Sequence, residues 1–521
     1  MLRASKFCCL LLTFLLSLQV VASEHKGTQK RIEELLADPE AAKAVWGIEV
    51  VDLGSGKTVY SLNADKLFIP ASNTKLFTTG AVLALIGPEY RFRTTLESMG
   101  TVDRYGRLSG DLVIVGRGDP NLSGRTLPYN LRTERNMPPV RVLEELADQL
   151  LARGVKVVDG DLVADDSYFL FQRYSEGWAQ DDLLWAWGAP VSALTVNDSV
   201  MFVSVMPADH IGERAYVSIA PFADYYRIEN RVTTTPAGTE PRKLLINREP
   251  GSNQLTIWGT IPLGDPGATE ALAIEDPAEF AAKLMRSLLE KRGIVVYGRV
   301  RTQHAELSSL YTFHATAMAS AGGGTDAVVP PLTPLRNVLA DHQSMPLVQD
   351  LKVINKVSQN LHAELILRLL GRDRGRSGTV EGGLEVMQSW LLLAGIRTDE
   401  YVFHDGSGLS RENLVTPHAV VKLLSFIARQ PWGATYLDTL PVGGMDGSLA
   451  ERFKTPSTLG RVQAKTGALS HVNALSGYLT TLKGERLAFS IIVNNHLLNS
   501  HKASETIDDI VTALVEGPPK H

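Results

Sequence analysis

Near Tyr90 the sequence changes texture, and it does not change back for roughly two hundred residues. Before that point, AVWGIEVVDLGSGKTVYSLNAD alternates apolar and polar residues on either side of Gly54-Ser55-Gly56, as a β-hairpin does. LFTTGAVLALIG follows and is apolar nearly all round, which predicts a buried helix ending at Gly87-Pro88. Beyond it come RLSGDLVIVGRGDPNL and GVKVVDGDLVADDSYF, short strands with Gly-Asp turns, with the helix PPVRVLEELADQLLARG between them. From about 170 to 262 short alternating strands take over, such as SVMFVSVMP, RAYVSIAP and NQLTIWGTIP. DPAEFAAKLMRSLLEKRGIVVYGRV then returns to a helix and a strand, and its GIVVYGRV weakly echoes GVKVVDGDLV. The Gly/Pro-rich stretch 318–334 reads as a loop or hinge. After it, QSMPLVQDLKVINKVSQNLHAELILRLLG is helical, LGRVQAKTG and ALSGYLTTLKGERLAFSIIVNN are strands, and SETIDDIVTALVEG is an amphipathic closing helix. One α+β domain interrupted by a long insertion accounts for this order. Its parts are 24–92 and 306–521, with an inserted α/β domain at 93–169 and 263–305 and a nested β-rich domain at 170–262. A length of 521 residues suits two to four domains.

The N-terminus, MLRASKFCCLLLTFLLSLQVVASEHK, has a basic start, an apolar run from Phe7 to Ala22 and small residues for cleavage. Residues 1–23 therefore read as a signal peptide; a retained anchor is the alternative, although the run is shorter than a usual span. Losing Arg3 and Lys6 takes the formal charge from −5 to −7. Cys8 and Cys9 are the only cysteines, so the mature chain has no disulfides and must hold together by its cores. A negative charge gives no reason to expect nucleic acid. No other segment is apolar enough to span a bilayer, so the expected product is soluble and exported, periplasmic or wall-associated.

FIPASNTKLFTT, residues 68–79, places a serine three residues ahead of a lysine at the mouth of the apolar helix. Two further short strings follow in order, Ser358-Gln359-Asn360 and Lys465-Thr466-Gly467. Each alone is a weak signal; their order, on a helix, a helix start and a strand, carries the weight. Lys75 can take the Ser72 proton only if partly neutral, which burial and a positive charge on Lys465 would favour. Ser358 can relay a proton toward a leaving amine, while Asn360 can orient substrate and lysine. Lys465 and Thr466 can bind a free carboxylate at a strand edge, and Gly467 lets substrate approach that edge. The backbone N–H groups of Ser72 and Ala468 would form an oxyanion hole, worth roughly 3 kcal/mol per donor. No metal or cofactor is required.

These residues resemble the active-site serine penicillin-recognising enzymes, specifically the low-molecular-mass class C penicillin-binding proteins, which are D-alanyl-D-alanine carboxypeptidases and endopeptidases. LFIPASNTKLFTT is similar to the nucleophile segment of that family, GDPNL and GAPVSALTVND to its insertion, and HDGSGLSRENLVTP and LPVGGMDGSL to its loops before the Lys-Thr-Gly strand. The resemblance runs over nearly the whole mature chain. It implies a serine transpeptidase/β-lactamase-like domain, an antiparallel sheet flanked by helices, carrying large inserted β-rich domains. It also implies an acyl-serine intermediate, peptidoglycan stem peptides as substrate and β-lactams as covalent inhibitors. Gln359 is the departure, expected to affect substrate preference at most.

The rival from another class is a catalytically silent protein that binds wall peptide or protein; within the enzymes, a β-lactamase or esterase is the rival, and the long insertion argues against it. Ser72 as a mere helix cap and Lys465 as a strand-edge guard are the bland readings. Asp405, Ser407, Asp119 and Asn121 read as turn formers, as does the tripeptide Arg117-Gly118-Asp119. His471, just after the Lys-Thr-Gly strand, could line the cleft, with a structural or solvated histidine as the plainer reading. The histidines show no H-E-x-x-H spacing. A homo-oligomer stays open.

Overall fold

The computed structural model describes residues 26–129, 135–238, 240–306 and 336–518. The expected signal peptide and the 318–334 loop lie outside the described residues. No described helix is long and apolar enough to cross a membrane. The chain divides into two units, one of residues 1–84, 352–358 and 387–521, the other of residues 85–351 and 359–386.

The first unit is built on a five-stranded sheet in the order Val462–Leu469, Val472–Thr480, Arg486–Asn494, Val45–Asp52, Thr58–Leu62, antiparallel throughout. The hairpin around Gly54-Ser55-Gly56 forms as its alternation requires, with Gly56 at φ +70° in the turn. Successive side chains on a strand point to opposite faces, so the sheet sorts its residues between two layers. Trp46, Ile48, Val50, Phe489, Ile491 and Val493 pack with Ile507, Ile510 and Val511 of the closing helix Ser500–Glu516. The alternate residues face the other layer. There Tyr478 donates to the Leu424 carbonyl of the helix Pro417–Ile427, and His418 of that helix meets Glu49. Lys465 and Ser476, directly paired across two strands, share this second face.

The helix Thr74–Leu85 belongs to that second layer, and its residues from Thr74 to Leu83 are all buried. That is the burial expected of a segment apolar all round. Its N-terminus is tightened into a 3₁₀ turn, Ala71–Asn73. Gly80 lets two elements close on this helix, since a Cβ there would lie 3.1 Å from Ile427 and 3.2 Å from Trp390.

The second unit holds a mixed five-stranded sheet in the order Val300–Ala305, Leu162–Leu170, Leu112–Val115, Arg93–Ser98, Asn337–Gln343. The weak echo between GVKVVDGDLV and GIVVYGRV corresponds to a real repeat. The helices Arg141–Ala152 and Pro277–Lys291 lead into Val157–Val158 and Val295–Val296, which pair in parallel, and then into the parallel pair Leu162–Leu170 and Val300–Ala305. Asp276 caps the second of these helices, its side chain accepting from the Glu279 N–H at 3.0 Å ahead of Pro277. Two three-stranded sheets lie between the repeats. Three boundaries differ from the sequence reading, the first being residues 359–386, which belong to the second unit rather than the first. Ala268–Ala273 pairs with Val200–Met206, so the β-rich region runs past 262. Asn337–Gln343 pairs with Arg93–Ser98, in the second unit rather than the first. Both strands were captured by sheet edges far away in sequence, a choice that local texture does not encode.

Candidate active site

Ser72 follows Ala71, whose backbone is held at φ +48°. A non-glycine residue there is strained and persists only where its surroundings fix it. The fixing elements are identifiable. A Cβ at Gly408 would lie 1.9 Å from the Ala71 carbonyl oxygen, and a Cβ at Gly467 would lie 2.8 Å from the Pro70 carbonyl oxygen. Pro70 and Ala71 are thus seated between the Asp405–Gly408 loop and the Lys465 strand. Gly467 makes room for the nucleophile segment itself.

Lys75 is fully buried, and its Nζ donates to Ser72 Oγ at 2.9 Å and to the Ser407 carbonyl at 2.6 Å. Thr78 donates to the Gly406 carbonyl at 2.8 Å. The loop is itself braced by Asp405, whose carboxylate accepts from the Gly408 N–H, the Ser410 N–H and Asn413 Nδ2. Asp405 and Ser407 are turn residues as read, but the Ser407 carbonyl also holds the lysine. Sequence reasoning could not find that role, because a backbone carbonyl has no letter of its own.

Lys465 is also fully buried; its Nζ donates to Ser358 Oγ at 2.8 Å and to the Thr466 carbonyl at 2.9 Å. Burial, together with the charge of Lys75, pushes Lys465 well below the ordinary lysine range. Lys465 therefore gives up its proton more readily than a free lysine would. Thr466 Oγ1 donates to Ser448 Oγ at 2.9 Å, so the GGMDGSL loop joins the strand edge. Ala468 continues that edge, opposite Asn473. Ser72, Lys75, Ser358, Lys465, Thr466, Gly467 and Ala468 all lie in the first unit.

Ser358 is in the left-handed region, φ +69°, immediately after the one-turn π-helix Val353–Val357. Such turns are frequent at functional sites. Beneath them Asn355 donates to Thr439 Oγ1 at 2.8 Å, and Lys356 is paired with the buried Asp446. Beyond Ser358 the chain enters the second unit. Asn360 opens the helix Asn360–Arg374 and donates through Nδ2 to the Trp187 carbonyl at 2.9 Å.

Gln359 makes two contacts that its position in the motif does not reveal. Its Oε1 caps the helix by accepting from the Leu361 N–H at 2.9 Å, and its Nε2 donates to Asp198 at 2.8 Å. Asp198 is buried, at φ +58°, with Arg125 bidentate at 2.6 and 2.7 Å and with Arg135 and His362 as further partners. Burial opposes its charge, yet Arg125 and Arg135 hold it well below the usual carboxylate range.

The remaining sequence candidates are structural. Asp119 is 1% exposed, and Arg117 pairs with Glu97, so Arg117-Gly118-Asp119 is not presented as an adhesive tripeptide. Asn121 pairs with the buried Asp350. His471 sits at φ +65° in the turn between two strands, with Nδ1 2.8 Å from the His496 carbonyl.

The D-Ala-D-Ala carboxypeptidase 3 (S13) family matches residues 28–321 and 323–516. The chain belongs to this family. It is accordingly a low-molecular-mass class C penicillin-binding protein and a serine-type DD-peptidase. It is 36% identical to a D-alanyl-D-alanine carboxypeptidase of Actinomadura sp. over 91% of its own length and 82% of the relative's. It is 25% identical to the D-alanyl-D-alanine carboxypeptidase DacB of Haemophilus influenzae over 86% and 85% of the two chains. In fold, this S13 member is similar to the crystal structure of penicillin binding protein 4 from Haemophilus influenzae. The TM-score is 0.76 and the identity 24%, with 93% of this chain and 98% of the other covered. The α+β architecture expected from the sequence is therefore the observed one.

Proposed function

We propose that the protein is exported and cleaves D-Ala-D-Ala ends, peptide cross-links of peptidoglycan, or both, with Ser72 as nucleophile and Lys75 as its base. The observation that carries this assignment is the buried Lys75 Nζ, 2.9 Å from Ser72 Oγ and steadied by the Ser407 carbonyl. Ser72 Oγ attacks the scissile carbonyl carbon as its proton passes to Lys75. The developing oxyanion is met by the Ser72 and Ala468 N–H groups, each worth roughly 3 kcal/mol. When the C–N bond breaks, Ser358 passes a proton to the departing amine and regains one from Lys465. Water then attacks the acyl-serine, its proton passing through Ser358 back to Lys465 while Lys75 returns the serine proton to Ser72 Oγ, which releases the shortened peptide and restores both lysines.

Lys465 and Thr466 are the proposed binding groups for the terminal carboxylate, which on arrival favours the charged form of Lys465. Gly467 keeps the strand edge flat, and Asn360 orients the acyl-side amide. The three-part division into a peptidase domain, an inserted α/β domain and a nested β-rich domain is proposed on the same footing, with its strands assigned as observed.

Intact-mass spectrometry of the mature protein with benzylpenicillin, beside a Ser72→Ala variant, tests the assignment. One penicilloyl adduct that lasts minutes and is absent from the variant is the expected result. Rapid drug hydrolysis without an adduct would point to a β-lactamase, and neither adduct nor hydrolysis to a silent binder. A pentapeptide and a cross-linked muropeptide dimer, compared as substrates, rank the two DD-peptidase activities.

A further inference from the structure

We propose that a cleft in the second unit, walled by Trp185 and Tyr174, binds an N-acetylated sugar of the glycan strand that carries the stem peptide. The proposal rests on peptidoglycan being the substrate. The cleft measures about 1360 Å³ including its open mouth, and Asn247, Gln180 and Asp181 lie at its rim. It is not a spare core void, because one wall is a braced aromatic platform. Trp185 is anchored by a β-bridge to Leu272, and its ring lies 5.5 Å from that of Trp187 at an interplanar angle of 13°. Trp187 is 49% exposed, and its Nε1 donates to Asp182 at 2.8 Å. Rings held this way bind at little entropic cost.

The charges indicate what the cleft takes. Arg173 donates to the Glu275 carboxylate at 2.6 Å, and Arg248 reaches its other oxygen at 3.2 Å. Arg173 also lies over the Tyr174 ring at 5.6 Å. These two cations are offset by Glu275 and the exposed Asp181, so no net charge is left over to attract an anion. A neutral ligand with a flat apolar face and polar edges fits such a wall. A pyranose offers that shape: its axial C–H face stacks on an indole, and its hydroxyl and acetamido groups meet the amides of Asn247 and Gln180.

The connection to the reaction runs through Asn360. Its Nδ2 donates to the Trp187 carbonyl, and Trp187 stacks on Trp185, so the platform is two rings removed from a motif residue. A four-residue stem peptide spans at most ~14 Å when extended. A sugar on the platform would need to hold its stem peptide within that reach of Asn360.

The test uses the full mature protein with three ligands: N-acetylglucosamine tetramer, a disaccharide pentapeptide and the free pentapeptide. The expected result is quenching of tryptophan fluorescence by the tetramer. It should be accompanied by a loss of at least tenfold in kcat/KM for the disaccharide pentapeptide in Trp185→Ala, with free-pentapeptide turnover and benzylpenicillin acylation retained. The double variant Gln180→Ala/Asn247→Ala, confined to exposed residues, must weaken the tetramer in the same direction. It decides the matter if Trp185→Ala does not fold. Absence of quenching, or equal losses on the free and glycosylated peptides, would overturn the proposal, the latter by showing a peptide site. Failure of the peptidase reading is seen separately, as absence of both penicilloyl adduct and pentapeptide cleavage.

Discussion

At the scale of single residues, two side chains govern the expected behaviour, the buried Lys465 and the half-buried Gln359. Lys465 lies below the ordinary lysine value of 10.5, so in the window between its own pKa and that value the unfolded chain binds more protons than the folded one. Stability therefore rises with pH across that window, because a buried cation is being relieved. Acylation should move in the same direction, since a fully protonated lysine pair cannot accept the Ser72 proton. Stopped-flow acylation by benzylpenicillin should climb through an apparent pKa below 10.5; a rate that climbs only at or above it would count against a lowered Lys465. Gln359 is the second case. Truncation in Gln359→Ala removes a helix cap and one donor to Asp198, a combined loss of about 2 kcal/mol. Denaturant unfolding should register this loss. The acylation rate should also fall, because the segment that carries Ser358 loses its tether. An unchanged rate would leave Gln359 with the minor role that its position in the motif suggested.

At the scale of elements, the important packing is a loop against a helix mouth. Gly408 has φ +82° and stands where a Cβ would collide with the Ala71 carbonyl oxygen. Gly408→Ala therefore combines backbone strain with a displaced Ser407 carbonyl, and should cost about 3 kcal/mol or more. Thermal unfolding and benzylpenicillin acylation should both show it, the second by at least tenfold. An unaltered melting temperature would mean that the loop can shift without cost. The sheet underneath explains why so many polar residues lie in a dry layer. Asn73 donates to Ser476 and Ser476 to Ser490, so the second face of the sheet is tied to the nucleophile turn by a chain of hydroxyls and amides. Apolar substitution of one member strands its partners, at a cost of about 1–3 kcal/mol.

At the scale of the molecule, the second unit carries a pH dependence of its own. His304 lies between Asp166 and Asp276 and is stacked on Phe171 at 3.8 Å. Burial opposes its charge, yet hydrogen bonds to the two carboxylates bring its pKa up to about 10. A histidine raised in this way contributes stability that is complete below about 6.5 and is lost as pH rises through about 10. The melting-temperature difference between the native chain and His304→Gln should therefore be largest near pH 6 and shrink toward pH 10. A difference independent of pH would show that His304 acts through packing alone.

What the sequence by itself determined is whatever short-range pattern can carry. The hairpin at Gly54–Gly56, the buried helix after Ser72 and the three ordered motifs all rest on periods of two or 3.6, or on adjacent letters. The repeat of helix and strand was legible too, though only as a faint echo. The tertiary structure alone decided the rest. It chose the sheet edge that captures Asn337–Gln343, the carbonyl that holds Lys75, the reason for glycine at 467 and the carboxylate that tethers Gln359. Each of these contacts joins groups far apart in the chain, and three of them depend on backbone oxygens that every residue has. Such contacts are selected by packing and by the need to pair buried polar groups, and no local stretch of sequence contains that information.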